Sequence, residues 1–266
     1  MNTGGRLAVI IAVGAVAIGV TGWATGFEWE TWDRIGQPRN VLEIDGAQVR
    51  VPLPEGEATR LAAQVPVDSQ GQYAFMFEEP DQGPTRYDPC RPLRWVHNTQ
   101  GMPEGAEDMI HAAVADISRH TGLVFEYEGT TDEVADFDRP LFQDRYGEAF
   151  APIIVGWGTA AQVPDLADSV MGLGGSSSVS GAYGNQRYLE SGAMILDAED
   201  FTTMLGSNRG EALAAAVVMH ELAHVVGLAH VEDNTELMHG ENVMLVTWGP
   251  GDRAGLAIAG AGPCQE

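Results

Sequence analysis

The chain has 266 residues, of which 44% are hydrophobic and 20% charged, so it is long enough for one globular domain of ordinary composition with an additional segment. Its formal net charge is −24, which argues against the basic patches through which proteins bind nucleic acids and anionic membranes. We therefore expect no nucleic-acid partner.

Residues 7–24 form an apolar run without a charged residue, which predicts a membrane-targeting segment. The run is longer than most signal-peptide cores, and no A-x-A cleavage site precedes Phe27, so residues 1–26 are interpreted as an uncleaved signal anchor, with a cleaved signal peptide as the alternative. Arg6 predicts an N-in, C-out orientation. The remainder of the chain is expected outside the cytoplasm, either on a single-pass cell-membrane anchor or secreted.

Residues 27–84 are acidic and rich in Pro and Gly, with short strand-like patterns at 41–51 and 73–77. They are interpreted as an extracytoplasmic stem or a prosegment, and an added small sheet is a third reading that the pattern leaves open. A separate globular domain is predicted to span residues 85–266.

Only two cysteines occur, Cys90 and Cys264, and they stand near the two ends of the predicted domain 85–266. In an oxidising exterior two such thiols are expected to pair. We predict a disulfide between them.

From residue 87 onward the apolar pattern is regular. A helix is predicted at 104–120, ending before Gly122, and a second from Asn208, which stands three residues before Glu211 as in a capping box. A last helix is predicted from Asp252. Strands are predicted at residues 93–96, 123–127, 153–157, 171–180 and 194–196.

The second helix carries the most informative motif of the chain. His220 and His224 are four residues apart and therefore share one helix face, with Glu221 beside them. Gly227 tolerates positive φ and ends the helix, which lets the chain turn and return His230 as a third ligand. Three imidazoles leave one coordination position open, so the motif predicts one catalytic Zn²⁺ whose water loses its proton to Glu221 as general base.

The pattern H-E-x-x-H-x-x-G-x-x-H, followed by Leu-Met at Met238, resembles the metzincin zinc metalloproteases, and within them the matrixins. Matrixins usually carry Ser after the third histidine and Tyr-Pro after the methionine, where this chain has Val231 and His239-Gly240. A divergent bacterial matrixin-like branch is therefore expected. The resemblance makes Met238 the Met-turn residue, an apolar floor under the zinc site.

The resemblance implies an α+β fold: a twisted, mostly parallel sheet with an antiparallel edge strand, an active-site helix, the Met-turn and a C-terminal helix. Residues 171–180 match the edge strand on which an extended peptide substrate would align, and a disordered surface loop is the alternative. Structural Ca²⁺ is common in matrixins, but no carboxylate cluster permits a residue assignment. Asp132, Asp136 and Asp138 are interpreted as a solvated acidic loop. In matrixin zymogens a prosegment thiolate occupies the zinc, which makes Cys90 an alternative inhibitory ligand.

The expected function is a zinc-dependent endopeptidase whose partner is a peptide or protein substrate. Two alternatives remain: a catalytically silent zinc-containing binding protein, and a zinc hydrolase of non-peptide amides. His97, His111 and His120 do not stand at ligand spacing from the motif, and the sequence does not indicate an oligomeric state.

Overall fold

A computed structural model describes residues 41–44, 47–50, 59–80, 82–147, 149–180, 187–241 and 244–265. All of them belong to the unit Asn40–Glu266. The predicted segment 1–26 lies outside the described residues, so both its anchor and its signal-peptide interpretations stay predictions. Among the described residues, no helix is long and apolar enough to cross a membrane.

A five-stranded sheet forms the centre of the unit. Its strands are β6 (Leu93–His97), β7 (Phe125–Thr130), β8 (Ile153–Gly158), β9 (Gly172–Ser180) and β10 (Arg187–Asp197). Their spatial order is β7-β6-β8-β10-β9, in which the first four strands run parallel to one another and β9 at the edge is antiparallel to β10. The predicted mixed fold with a mostly parallel sheet and an antiparallel edge strand is confirmed, and residues 172–180 are a strand rather than a loop.

In the described part of the chain four α-helices accompany the sheet: α1 (Ala106–Thr121), α2 (Ala198–Leu205), α3 (Gly210–Val225) and α4 (Pro250–Ala259). Helix α1 buries Ile110, Ala113 and Ile117, which recur at helical spacing, and it ends where Gly122 adopts a left-handed conformation with φ 72°. Fully burying each of the two isoleucines stabilises the fold by roughly 1.5–3 kcal/mol relative to exposure. Helix α3 is buried on most sides, which fits a helix enclosed by the sheet and its neighbours.

The short elements are two-residue or four-residue strands and single turns of 3₁₀ helix. Hairpin strands β1 (Val41–Ile44) and β2 (Ala47–Arg50) pair with each other, β3 (Ala74–Phe75) pairs with β11 (Leu228–Ala229), and β4 (Glu78–Glu79) pairs with β5 (Gly83–Pro84). The 3₁₀ turns are Asp144–Tyr146 and Pro164–Leu166. Several of these strands lie in the region predicted as a stem or prosegment, an assignment that stays a prediction.

The start of α3 differs from the prediction. The capping box of Asn208 and Glu211 is wrong, because the helix begins at Gly210 after Arg209, a left-handed residue that makes no side-chain cap. The cause is α2, which the sequence pattern does not predict and which ends immediately before. The turn between the two helices is closed by backbone bonds, and a Cβ at Gly210 would lie 1.7 Å from the carbonyl oxygen of Met204.

Strand β10 is much longer than the predicted segment 194–196. A register shift between Glu190 and Ala193 interrupts its pairing with β9, and Ser191 there has a positive φ of 61°. The strand lies between β8 and β9 and is buried over most of its length, and Glu190, Ser191 and Gly192 at the bulge interrupt its apolar run. The sequence pattern therefore shows only the part of the strand that follows the bulge.

The disulfide between Cys90 and Cys264 is present, with 5.4 Å between the Cα atoms. It joins the chain just before β6 to the chain after α4. Because both sulfurs are in this bond, the alternative in which Cys90 ligates zinc is wrong.

Candidate metal centre

Helix α3 brings two of the three predicted ligands together. His220 and His224 lie one turn apart, and their Nε2 atoms are 3.1 Å from each other. His220 is half-buried and His224 is 8% exposed. The four-residue spacing alone accounts for this arrangement, since the two side chains emerge on the same face of the helix.

The third histidine reaches the same point because the chain reverses after the helix. Gly227 has a φ of 102°, a backbone conformation that residues other than glycine rarely adopt. Its N–H donates to the carbonyl of His224 at 2.9 Å. Strand β11 follows at once and leads to His230. The Nε2 atom of His230 lies 3.0 Å from that of His220 and 3.0 Å from that of His224.

The other ring nitrogens determine how the imidazoles point. His220 Nδ1 lies 2.7 Å from the carbonyl oxygen of Leu237, and His224 Nδ1 lies 2.8 Å from that of Leu228. A carbonyl oxygen only accepts, so each Nδ1 carries the proton and each Nε2 is left with its lone pair. The lone pairs of these two rings consequently face the Nε2 atom of His230.

This donor set fits a zinc ion. Lone pairs on Nε2 atoms that lie only 3.0–3.1 Å apart repel one another. One cation could accept all three lone pairs at a usual zinc–nitrogen distance of about 2.0–2.1 Å. Burial lowers the pKa of His220 to about 4 and that of His224 to about 3, and it also lowers the pKa of His230. All three rings are therefore neutral at pH 7, as metal ligands must be. The group is closed on the side of His224 and open on the side of His230, which is exposed.

The side chain of Glu221, a residue of α3, lies against the edge strand β9. It is 7% exposed, and a Cβ added to Gly172 of β9 would come within 2.8 Å of its Cγ and 3.2 Å of its Cδ. A Cβ at Gly174 would lie only 2.1 Å from the carbonyl oxygen of Glu221. Glycines at these two positions therefore allow the strand to lie directly on the helix. Burial raises the pKa of the Glu221 carboxyl to about 8, and a cation held by the neighbouring histidines would favour its ionised form.

The predicted Met-turn residue, Met238, is 1% exposed. Its carbonyl accepts the N–H of Val231 at 3.0 Å, which ties this turn to the chain immediately after His230. The preceding residue, Leu237, is the one whose carbonyl orients His220. The turn thus contacts His220 directly and is bonded to the residue that follows His230.

Two buried carboxylates that sequence reasoning missed hold this turn in place. Asp252 in α4 accepts the N–H groups of Leu237 at 2.5 Å and Met238 at 3.1 Å, while Glu236 accepts those of Gly251 and Asp252 at 2.8 and 2.9 Å. Each carboxylate is 1% exposed. The sequence signal of Asp252 is an acidic residue in the first turn of a helix that begins with proline, which also fits an ordinary N-terminal cap, and Glu236 lies in a turn outside any helix.

The remaining predicted residues lie elsewhere. His97 is buried and accepts a hydrogen bond from Trp157 at 3.0 Å, the ring of His111 packs on other aromatic side chains, and His120 faces Asp116. None of the three belongs to a group of ligands that could hold a metal in the described part of the chain.

The described residues contain no candidate site for structural calcium. Besides the three histidines, the other group of three possible ligands is Asp88 with Cys90 and Cys264, and both cysteines are in the disulfide. The acidic loop is exposed at its three aspartates, as predicted. Its buried centre is an ion pair: Arg139 donates to both oxygens of Glu133, at 2.7 and 2.8 Å, and the exposed fractions of the two side chains are 6% and 9%. A guanidinium therefore supplies the positive charge at this place.

No family model matches the chain, and no curated protein matches it. Two solved structures that align with part of the chain are archaemetzincin from Methanopyrus kandleri and the GM1-bound form of the ECX AB5 holotoxin. The first has a TM-score of 0.36 and 14% identity over 61% of this chain and 86% of that chain. The second has a TM-score of 0.36 and 11% identity over 65% of this chain and 81% of that chain. At these scores neither neighbour identifies a family or an activity for this chain.

Proposed function

We propose that the protein is a zinc-dependent endopeptidase of a matrixin-like kind. The observation that supports this most is the convergence of three imidazole Nε2 atoms within 3.0–3.1 Å, beside a buried glutamate and under a sheet edge. In this proposal His220, His224 and His230 hold the ion and Met238 forms the apolar floor.

The zinc would act as a Lewis acid and would lower the pKa of a bound water to about 7. Glu221 accepts a proton from the attacking water and then delivers it to the leaving amine. Burial raises the pKa of this carboxyl and the neighbouring cation would lower it again, so that Glu221 could be ionised for the first step and still release its proton in the second. The orientation of His220 and His224 by backbone carbonyls keeps their Nε2 atoms in place through the cycle.

The edge strand favours a peptide as the substrate. Among the described residues β9 pairs with β10 alone, so its other edge is available to an extended chain. Its start at Gly172 lies against Glu221, which would bring a paired peptide past the proposed base. A small amide has no extended backbone and could not form the row of hydrogen bonds that such an edge offers. The disulfide supports a location outside the cytoplasm, where a peptidase would meet secreted or surface proteins.

The test is digestion of an unbiased peptide library by the full chain, with products identified by mass spectrometry. The same digestion is repeated after removal of metal by a chelator and again after restoration of zinc. We expect internal cleavage that disappears with the metal and returns with it. Hydrolysis of simple amides without peptide cleavage would indicate the non-peptide hydrolase instead. A zinc-loaded chain that hydrolyses neither class would indicate the binding protein.

A further inference from the structure

Residues 71–77, which precede the five-stranded sheet in the chain, lie along the turn that carries His230. Within this segment, β3 pairs antiparallel with β11, with Phe75 opposite Leu228 and Ala74 opposite Ala229. Strand β11 fills the whole interval between Gly227 and His230. The 71–77 segment is thus the pairing partner of the two residues that deliver the third ligand.

Two further hydrogen bonds hold this turn on either side of the ligand. Before it, the N–H of Met76 donates to the carbonyl of Gly227 at 2.9 Å. After it, the side-chain oxygen of Gln72 accepts the N–H of Asp233 at 2.7 Å. The segment therefore fixes the backbone three residues before and three residues after His230.

The same segment is tightly packed against the start of α4. A Cβ at Gly71 would lie 2.3 Å from the backbone nitrogen of Gly251 and 2.4 Å from an oxygen of Glu236, and a Cβ at Gly251 would lie 2.1 Å from the carbonyl oxygen of Gln72. Backbones this close leave no space for a loosely docked segment. The contact also joins the 71–77 segment to the carboxylates that hold the Met238 turn.

The histidine held in this way depends on its backbone more than the other two. His220 and His224 are fixed by helix α3, whereas His230 is exposed and stands on irregular chain after a two-residue strand. The carbonyl of Leu228, in that strand, also accepts the Nδ1 proton of His224. Movement of β11 would consequently displace one ligand and release the orientation of a second.

We infer that residues 71–77 are a permanent part of the metal centre and not an inhibitory segment that is removed. In this role they position His230 and slow the loss of zinc. The inference rests on the metal site of the proposed function and not on peptide hydrolysis. It predicts that proteolytic removal of residues up to 84 inactivates the protein, whereas removal of an inhibitory prosegment would activate it.

The test compares Gln72→Ala and Met76→Pro with wild type, all in the full chain. Gln72→Ala removes the acceptor of the Asp233 N–H, and Met76→Pro removes the donor to Gly227. Zinc loss is followed as transfer to a chromogenic chelator in excess, and ligand geometry as the visible absorption of the cobalt-substituted proteins. We expect zinc to leave Gln72→Ala about tenfold faster, which corresponds to about 1.4 kcal/mol, and Met76→Pro faster still, with an altered cobalt spectrum.

Two controls separate positioning from general stability. Gln70→Ala removes an exposed glutamine two residues away and should leave the rate of zinc loss unchanged. Arg60→Ala removes bonds at 2.8 and 3.2 Å to the carbonyls of Gly260 and Gly262, which also fasten the N-terminal region but do not involve the His230 turn. It should lower the melting temperature and leave the cobalt spectrum unchanged.

Zinc loss at the wild-type rate from both Gln72→Ala and Met76→Pro would overturn the inference. Cleavage of the full chain at an engineered protease site after residue 80 would overturn it as well if activity rose and zinc stayed bound. A wild-type chain that binds no zinc would overturn the metal centre itself. A chain that binds zinc and behaves as expected here, but cleaves no peptide, would support the inference while rejecting the peptidase.

Discussion

The close approach of strand β9 to helix α3 gives a prediction that can be worked out from distances. In Gly174→Ala the new methyl would lie 2.1 Å from the carbonyl oxygen of Glu221, whereas ordinary contacts begin at 3.4 Å. Strand or helix must therefore move by about 1.3 Å, and neither backbone can rotate away as a side chain can. Overpacking of this kind costs about 3 kcal/mol or more, which lowers the melting temperature of a chain of this size by roughly 6–12 °C.

Gly172→Ala meets the same glutamate differently. Its methyl would lie 2.8 Å from Cγ of Glu221, a side-chain atom that can shift by a few tenths of an ångström. The cost in stability should be near 1 kcal/mol. The carboxylate is displaced, however, and misplacement of a catalytic group by about 1 Å can reduce turnover on the order of 100-fold.

The assay measures thermal unfolding, zinc content and kcat for both variants. Gly175→Ala is the matched control, since its methyl would lie 3.4 Å from the ring of Phe137, an ordinary contact in the same strand. We expect Gly174→Ala to lose mainly stability, Gly172→Ala to lose mainly kcat, and Gly175→Ala to change little. If Gly174→Ala melts at the wild-type temperature, the strand does not lie on the helix as described.

Three further predictions concern the ion pair, the disulfide and the metal. Glu133→Gln leaves the guanidinium of Arg139 buried without its charged partner, which should lower the free energy of unfolding in urea by about 3–5 kcal/mol. The double variant that also carries Arg139→Met should be more stable than Glu133→Gln alone. Burial alone would raise the pKa of Glu133, but hydrogen bonds from Arg139 and its neighbours lower it below its ordinary value. The ionised carboxylate should therefore stabilise the folded protein near neutral pH, and this contribution should be lost as the pH falls through the pKa of the folded state. Reduction of Cys90–Cys264, which closes a separation of 174 residues, should lower the free energy of unfolding by up to about 4–5 kcal/mol, as seen in melts with and without reductant. His224→Ala should lose zinc by elemental analysis while its melting curve stays cooperative, and full zinc retention would contradict its role as a ligand.

The histidine group was predictable because its geometry is local. The spacing of His220 and His224 on one helix and the turn at Gly227 follow from backbone rules that act within eleven residues. Apolar periodicity likewise predicted α1 and the central strands, since each buries one face in the core. The antiparallel edge position of residues 171–180 came from the resemblance, since their pattern is rich in Gly and Ser and fits a loop as well as a strand.

What sequence reasoning missed depends on residues far apart in the chain. Asp252 and Glu236 gain their function only when α4 lies against the Met238 turn, and Gln72 meets Asp233 across 161 residues. No periodicity records such contacts. The bulge at Ser191 also concealed the first half of β10, because Glu190, Ser191 and Gly192 interrupt the apolar run that reveals a buried strand.

The most direct test of the central claim is peptide turnover by Glu221→Gln beside wild type, with zinc content measured in the same samples. Glutamine keeps the size of the side chain in its buried position but cannot accept the proton of water. We predict about one zinc per chain in both proteins and a loss of turnover on the order of 100-fold to 10,000-fold or more in the variant. Equal zinc content with turnover within a few-fold of wild type would contradict the assignment of Glu221 as the general base.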